Sequence, residues 1–396
     1  MRYCLPKPRE TSMFKIDLHT HMLPPTVPDF AAKFGYGDWV NLTPIPADDP
    51  GDFAGGARMS INGNFFRDVK PNCLHADARL RDMELHNVQV QVVSTVPVMF
   101  NYWAKAEHAL EAAVLLNDDL ADRCRAHPDR FIALGTLPMQ DPKLAVKELE
   151  RCMKDLGMAG IQIGSHIERP GEADWNLWEP ALFDVFEACQ DLGASILVHP
   201  WDMMGRDQMG KYWLPWLVGM PAETARAVCA LIFGGVFERL PDLRVCFAHG
   251  GGSFPYTIGR IEHGYNSRPD IVAVDSEHNP WSYLADYGRP ARFWVDSAVY
   301  SRNALRYLIA MMDERRVALG SDYPFPLGEA RPGAMIDSMY DLTDKTKRQL
   351  MSGSALEFLG MEADAFPDLI EEREAARERA ATFPAESAQT GSEAGK

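Results

Sequence analysis

Eight short apolar runs, separated by amphipathic segments, constrain the fold of this chain more than any other feature of its sequence. The runs are rich in β-branched residues and have few polar interruptions, as is typical of strands buried on both faces of a parallel sheet. They are Phe14–His19, Val88–Val96, Phe131–Leu137, Gly160–Gly164, Ser195–His199, Arg244–His249, Phe293–Ser297 and Val317–Asp322. The segments between them that predict helices include Ala106–His127, Pro142–Leu156, Trp178–Leu192, Ala222–Arg239 and Ala304–Glu314. This alternation predicts an α/β fold, a (β/α)8 TIM barrel.

The chain is longer than such a barrel requires. It has 396 residues, and a TIM barrel needs roughly 250. We therefore place the barrel at residues 14–370, after an N-terminal extension of residues 1–13. An insertion rich in Gly, Pro and Asp, residues 30–71, follows the first strand, and a second long loop, Pro200–Pro221, lies on the same side. Loops of this length are usually functional lids or disordered segments. The acidic tail, residues 371–396, is predicted to begin as a charged helix and to end in disorder.

The charge and cysteine content narrow the class of protein. The formal net charge of −16 disfavours partners with a phosphate backbone and anionic membrane surfaces. The 7 cysteines are odd in number and scattered without a C-x-x-C pair, which indicates reduced thiols. We expect no apolar run long enough to span a membrane, and the first residues lack the apolar core of a secretory signal. These features together predict a cytoplasmic protein without nucleic-acid or membrane partners.

Polar residues follow several of the predicted strands at the same end. His19 and His21 are two residues apart, so both imidazoles point to one face of a strand. His199, His249 and Asp322 end three later runs. Barrel enzymes carry their chemistry at the carboxyl ends of the strands, and imidazole and carboxylate are the ligands that catalytic zinc prefers. The sequence therefore predicts a metal site, but the spacing alone does not separate the ligands from an adjacent base.

The motifs around these residues resemble a known family. HTHMLP, HPW, AHGGGSFPYTIGR and LGSDYPFP are similar to motifs of the metal-dependent amidohydrolase superfamily. FGYGDWV, STVPVMFNYWAK and KYWLPWLVGMPAET extend the resemblance to its decarboxylases of 2-amino-3-carboxymuconate 6-semialdehyde. The resemblance runs from about Phe14 to about Leu359. The first dozen residues, part of the Asn41–Asn62 segment and the acidic tail depart from it, and none of them carries a catalytic motif.

The resemblance implies a role for each residue of the site. The zinc ligands would be His19, His21, His199 and Asp322, with His249 as the adjacent acid/base and Asp322 also relaying a proton to substrate carbon.

The resemblance also bears on the number of metal ions. Relatives with two metals bridge them through a lysine after the fourth strand. No lysine occurs between Asp155 and Gly210, so we expect one zinc ion per chain.

A polycarboxylate substrate needs local positive charge on this acidic protein. Arginine grips a carboxylate through two parallel hydrogen bonds. The resemblance makes Arg67 and Arg260 the carboxylate binders, with Arg268 a weaker candidate, and it places Trp213 and Phe325 at the pocket wall. It implies a homodimer in which Arg260, carried by a long loop after the sixth strand, completes the neighbouring site.

The resemblance implies non-oxidative decarboxylation of the semialdehyde to 2-aminomuconate 6-semialdehyde and CO2. A related decarboxylase of a phenolic acid, a hydrolase of an amide or lactone, and a non-catalytic binding barrel are the alternatives. The metal residues do not discriminate among the enzymes, whereas the paired arginines and the length of the resemblance favour decarboxylation of the semialdehyde. Two routes stay open, addition of an activated water to the substrate and direct chelation of the substrate by the metal.

Overall fold

A computed structural model of the chain describes residues 13–367 and residue 371. Its strands are β1 Ile16–Met22, β2 Val40–Pro44, β3 Ala57–Ile61, β4 Asn64–Val69, β5 Val90–Thr95, β6 Phe131–Gly135, β7 Gly160–Gly164, β8 His166–Ile167, β9 Trp175–Asn176, β10 Ser195–His199, β11 Val245–Phe247, β12 Trp294–Asp296 and β13 Val317–Ala318. Eight of them form one parallel sheet in the order β1-β5-β6-β7-β10-β11-β12-β13. Each of the eight predicted runs contributes one of these strands.

The sheet closes on itself between its last and first strands. Leu18 N donates to Leu319 O at 2.8 Å, and Asp322 N donates to His19 O at 2.9 Å. These bonds continue the ladder just past β13, which is shorter than the predicted run. The predicted (β/α)8 barrel is therefore confirmed.

The helices are α1 Phe30–Phe34, α2 Pro71–Leu74, α3 Ala76–His86, α4 Ala106–Ala126, α5 Pro142–Lys154, α6 Phe183–Asp191, α7 Met220–Phe233, α8 Val236–Arg239, α9 Phe254–Ser267, α10 Pro269–Val272, α11 Arg302–Met312, α12 Ala334–Asp337, α13 Asp344–Arg348 and α14 Ser354–Leu359. The predicted segment Ala222–Arg239 is two helices, because the chain breaks at Gly234 and Gly235, the latter with φ +63°. The outer helices pack on the strands and bury the main apolar core between the two layers.

An irregularity in β1 determines which of its side chains face the barrel interior. Leu18 packs in the inner cluster with Leu197 and Cys246 of β10 and β11. Between Asp17 and Thr20 the strand has one more residue than the β5 segment opposite it, a β-bulge. Because one extra residue reverses the alternation of faces, His19 and His21 follow Leu18 into the interior.

The insertion after β1 is more regular than the predicted lid or disordered loop. It contains α1 and a three-stranded antiparallel sheet, β2-β3-β4. Asp29 caps α1, and Gly35 ends it in the left-handed conformation. Apolar residues of the insertion, Val40, Ala57, Met59 and Val69, pack with Leu23 just after β1. The insertion therefore rests on the barrel next to the carboxyl end of β1.

The second predicted loop leads directly into a helix. A π-helical turn, Pro215–Gly219, continues into α7. Contrary to our expectation, the segment Pro215–Phe233 is long and apolar enough to cross a membrane by length and composition alone. Ala227, Val228 and Leu231 of α7 are buried in the main core, so this helix is part of the barrel wall.

Predictions for the N-terminal extension and the acidic tail concern residues outside the described ranges, apart from Met13 and Glu371.

Candidate metal centre

Five polar side chains from four places in the sequence meet at the carboxyl end of the barrel. We refer to them as the His/Asp cluster: His19 and His21 of β1, His199 of β10, His249 just after β11, and Asp322 after β13. His199 shares the inward face of β10 with Leu197, two residues earlier. The parallel strands thus bring residues 303 positions apart in sequence to one point, as the sequence predicted.

The ligand atoms of the cluster converge closely. Those of His19, His199, His249 and Asp322 all lie within 4.8 Å of one another. His21 Nε2 lies 3.1 Å from His19 Nε2 and 3.2 Å from Asp322 Oδ1. Three of the imidazole rings are essentially inaccessible to solvent, with His19 and His21 at 0% exposure and His199 at 3%. Five groups able to bind one cation therefore surround a single buried position.

Three of the imidazoles are oriented by a hydrogen bond at Nδ1. His19 Nδ1 lies 2.7 Å from Asp296 Oδ2, His21 Nδ1 lies 2.9 Å from Thr95 O, and His199 Nδ1 lies 2.6 Å from Pro200 O. Each acceptor fixes the proton on Nδ1 and leaves Nε2 with a lone pair. Metal-binding histidines have this arrangement, so His19, His21 and His199 are oriented as ligands.

The electrostatics of the cluster suit cation binding. Burial lowers the pKa of His21 and, together with the neighbouring imidazoles, holds that of His199 well below its usual range, so these two rings are neutral. Burial alone would raise the pKa of Asp322, but the imidazoles of His21 and His249 hold it well below its usual range. For His19, burial is outweighed by Asp296 and Asp322, and its pKa is raised.

His249 differs from the three anchored rings. Within residues 13–367, neither its Nδ1 nor its Nε2 has a hydrogen-bond partner, and Nε2 lies 3.6 Å from Asp322 Oδ2. Its backbone is in the left-handed region, at φ +55°. No acceptor among the described residues therefore fixes the tautomer of this ring.

The residues present fit a divalent metal ion. His199 Nε2 is buried and has no hydrogen-bond partner among the described residues, although buried polar atoms are nearly always paired. The three anchored imidazoles and an ionised carboxylate are a donor set that zinc accepts in catalytic sites. A cation at the centre of the cluster would satisfy these atoms together.

Arg67 and Phe325 lie above the cluster. Arg67 is on β4 of the insertion, and its guanidinium carbon lies 4.9 Å from the ring centre of Phe325 and 5.2 Å from that of Phe66. The Phe325 ring lies 5.6 Å from the ring of His21. Burial lowers the pKa of Arg67, opposed by Asp322. Among the described residues the Arg67 guanidinium has no ion pair or hydrogen bond, so its donors are unpaired.

The structure does not bring the other two predicted binding residues to the cluster. Trp213 is 44% exposed, and the one ring within contact of it among residues 13–367 is that of Trp216, at 5.8 Å. Arg260 is exposed on helix α9, not on a long loop as predicted, because the chain turns into α9 only five residues after His249. Arg268 at the end of that helix is paired with Asp270 at 2.6 Å.

Comparisons with known proteins agree with this geometry. Residues 16–361 match the family model described as Amidohydrolase. The 2-amino-3-carboxymuconate-6-semialdehyde decarboxylase of Dictyostelium discoideum is 51% identical to this chain, and the match covers 89% of this chain and 93% of that relative. This chain belongs to the amidohydrolase family. The decarboxylase of the same name from Caenorhabditis elegans is 36% identical, with 88% of this chain and 94% of that relative covered.

A solved structure shows the same fold at low sequence identity. The dihydroxybenzoic acid decarboxylase of a Polaromonas species, with bound manganese and the inhibitor 2-nitroresorcinol, superposes with a TM-score of 0.71 at 21% identity. The match covers 90% of this chain and all (100%) of that one. The resemblance predicted from the motifs is confirmed, and this amidohydrolase is a decarboxylase.

Sequence reasoning missed two buried carboxylates of the amidohydrolase site. Asp296 accepts from His19 and from backbone amides of the turn that carries His249. Glu223 of α7 accepts from the backbone amides of Trp201 and Met204, at 2.8 and 3.1 Å, and so holds the loop after His199. The signal for Asp296 is an acidic residue inside the apolar run FWVDS. Glu223 had no comparable signal in its helix.

Proposed function

We propose that this chain is a zinc-dependent decarboxylase of 2-amino-3-carboxymuconate 6-semialdehyde, forming 2-aminomuconate 6-semialdehyde and CO2. The observation that carries the proposal is the His/Asp cluster, with three imidazoles anchored for one cation beneath an unpaired arginine. The names of the two relatives at 51% and 36% identity supply the substrate. We further propose that the protein acts in the cytoplasm.

The proposed ligands are His19, His21, His199 and Asp322, holding one zinc ion per chain. Support comes from the anchored Nδ1 atoms and from the low pKa of the Asp322 carboxyl. When bound, a zinc ion supplies a Lewis acid that lowers the pKa of water and stabilises developing negative charge. The two residues after β7 are Ser165 and His166, and neither is the lysine that would bridge a second metal.

The proposed acid/base is His249. Its ring nitrogens are free of partners within the described part of the chain, and the ring centre lies 5.0 Å from that of His199. A proton accepted at one ring nitrogen can be returned to the substrate, and Asp322 Oδ2, 3.6 Å away, stabilises the imidazolium. Asp322 is the second group that we assign to proton transfer, towards the substrate carbon that loses CO2.

The proposed carboxylate binders are Arg67 and Arg260, with Phe325 and Trp213 at the pocket wall. Arg67 supports its role by position, because its guanidinium carbon lies over the rings of Phe325 and Phe66. None of its donors has a hydrogen bond or ion pair among the described residues, so they are available to a carboxylate. The location of Trp213 on a half-exposed loop allows it to pack over a bound substrate.

We propose a homodimer in which Arg260 enters the partner's site. Arg260 is exposed in the middle of α9 without a hydrogen bond or ion pair within residues 13–367, whereas Arg268 at the C-terminal end of this helix is paired with Asp270. Dimers are also the commonest homo-oligomers.

The decisive experiment offers the zinc-loaded protein two acids in parallel. With 2-amino-3-carboxymuconate 6-semialdehyde we expect loss of the visible absorbance of the substrate and release of an equal amount of CO2. With 2,6-dihydroxybenzoate we expect no CO2. The apo protein is the control for metal dependence. Turnover of the dihydroxybenzoate alone would favour the second candidate, a phenolic-acid decarboxylase, which the fold of the Polaromonas enzyme suggests.

The shared site is tested by mixing two inactive chains, Arg260→Ala and His249→Ala. If Arg260 acts in trans, each mixed dimer has one site with both defects and one intact site. Random pairing makes half of the dimers mixed, so activity should return to about a quarter of wild type. No recovery in a mixture shown to exchange subunits would rule out the shared site and leave the chemistry untouched.

A further inference from the structure

A single buried carboxylate connects a proposed metal ligand to the turn that carries the proposed base. Asp296 is the last residue of β12 and is 0% exposed. Its Oδ2 accepts from His19 Nδ1 at 2.7 Å and from the backbone N–H of His249 at 2.9 Å. Its Oδ1 accepts from the backbone N–H of Gly250 at 2.8 Å and from that of Ala298 at 3.0 Å. All four bonds lie within the barrel mouth.

The turn held by Asp296 begins with a backbone conformation that is uncommon for a histidine. His249, Gly250, Gly251 and Gly252 all have positive φ, at +55°, +62°, +76° and +61°. For a residue with a side chain, such as His249, the left-handed region is uncommon. In this run, Asp296 accepts hydrogen bonds from the backbone N–H groups of the first two residues, His249 and Gly250. The carboxylate therefore stabilises the turn at the residue that carries the proposed base.

Gly320, two residues after the end of β13, allows the Asp296 carboxylate to approach His19. A Cβ added at Gly320 would lie 2.7 Å from Asp296 Cβ and 2.9 Å from His19 Cβ. Gly320 does not have a positive φ, so the need for glycine comes from this close approach. The absent side chain at residue 320 makes room for the Asp296–His19 pair.

We propose that Asp296 is a positioning residue that sets the metal ligand His19 and the base His249 relative to each other. The inference rests on the proposed roles of these two histidines. The carboxylate fixes the proton of His19 on Nδ1, which leaves Nε2 for the metal, and with the same oxygen it fixes the backbone of His249. Partners of this kind on metal-binding histidines change metal affinity by roughly 10- to 100-fold when they are lost.

The test compares Asp296→Asn with the matched control Glu148→Gln. An asparagine keeps the size of the side chain, but its amide nitrogen can only donate. In either orientation of the amide, this nitrogen faces two N–H groups that the carboxylate had accepted, either those of His19 and His249 or those of Gly250 and Ala298. Glu148 is also a buried carboxylate, 2% exposed, bonded to Asn117 and Arg151 between α4 and α5, away from the cluster. Affinities for Zn²⁺ and Co²⁺ alone are measured by titration into the apo proteins, and the visible spectrum of the Co²⁺ form reports ligand geometry.

We expect Asp296→Asn to weaken metal binding by roughly 10- to 100-fold and to shift the Co²⁺ spectrum. At saturating metal its kcat should stay below that of wild type with little change in KM, because the His249 turn has lost its acceptor. Glu148→Gln should match wild type in metal affinity and spectrum. Gly320→Ala, which crowds the same pair, should weaken metal binding as well, whereas Gly264→Ala on α9, with no atom within 4 Å of the added Cβ, should not.

Two outcomes separate this inference from the proposed function. If wild type binds no divalent metal, the proposed metal site fails and Asp296 has no ligand to position. If wild type binds metal and Asp296→Asn binds it equally well with an unchanged Co²⁺ spectrum, only the inference about Asp296 is overturned.

Should Asp296→Asn fail to fold, the wild-type protein gives the answer by NMR. Two protons donated to one oxygen lie close together, so a cross-peak is expected between the ring Nδ1–H of His19 and the amide proton of His249. Its absence in the zinc-loaded protein would overturn the inference.

Discussion

In the floor of the site, formed by the His/Asp cluster, three of the four imidazoles have a hydrogen bond at Nδ1 and almost no exposure. We define the proposed rim as Arg67 together with Trp213 and Arg260, the two residues that we propose to complete the site. Its two guanidinium groups have no hydrogen bond or ion pair within the described residues. The floor is thus ordered by the chain itself. The rim keeps its donors unused, as expected of groups that bind a carboxylate only when substrate arrives. The difference shows where the chain itself fixes the geometry of the site, and where we propose that substrate or a partner subunit completes it.

The largest effect is expected from the removal of a proposed metal ligand in the floor. His199→Ala removes a ligand whose Nε2 has no other partner among the described residues. We expect it to lose bound zinc and activity together, measured by elemental analysis and by turnover of the semialdehyde. The same analysis of active wild type should give about one zinc per chain. Two tightly held metals per active chain would contradict the mononuclear site.

The next substitution tests whether the ring of His249, which has no hydrogen-bond partner among the described residues, differs in role from the three anchored imidazoles. His249→Ala should keep most of its metal, because the three anchored imidazoles and Asp322 remain, and should lose roughly 10²-fold or more in kcat, the usual size of a general-base contribution. The control is its zinc content. If His249→Ala abolishes zinc binding, the distinction between anchored ligands and a free base is wrong.

At the rim, Arg67 can be compared with an arginine of the same small sheet. Arg67→Ala should cost about 2–5 kcal/mol in kcat/KM, since a bidentate carboxylate contact in a partly dry pocket is lost. Arg58 on β3 is exposed and already paired with Asp68 at 2.9 Å, so Arg58→Ala should have little effect on kinetics. Zinc content should be unchanged in both variants. Equal effects of the two substitutions would mean that the insertion contributes only structure.

The sequence predicted the floor better than the rim, for a physical reason. Buried parallel strands leave a strong apolar pattern, and their carboxyl ends meet at one edge of the sheet, so His199, His249 and Asp322 could be placed together before the structure was known. The bulge in β1 that turns His19 inward has no such pattern, because it depends on pairing with β5. Asp296 was missed because one acidic residue does not interrupt the apolar run around it.

The insertion and the rim depend on contacts distant in sequence. The segment around Arg67 looked like a Gly- and Pro-rich loop, yet its alternating apolar residues form a sheet against Leu23. The segment that carries Arg260 is predicted to be a long loop, but it is helix α9, which begins after the three glycines Gly250–Gly252 and Ser253. The proposed use of Arg260 requires a second chain, and no local pattern in the sequence encodes such an interface.

The smallest expected effect concerns Phe325, which touches both floor and rim. Its ring lies 5.6 Å from that of His21 and 4.9 Å from the Arg67 guanidinium carbon. Phe325→Leu keeps apolar cover over His21 but removes the aromatic face beneath Arg67. Such a cation–π contact contributes about 0.5–2 kcal/mol, so kcat/KM should fall roughly 2- to 30-fold. Because the anchored rings are untouched, metal affinity should not change.

Phe66→Leu is the matched control, since Phe66 also lies against Arg67, at 5.2 Å, but has no ring contact with a histidine among the described residues. If Phe325→Leu lowers metal affinity while Phe66→Leu does not, the floor depends on its aromatic cover, and the separation between a floor fixed by the chain and a rim completed by substrate does not hold at this residue. If both variants lower only kcat/KM, the two regions are coupled through the position of Arg67 alone.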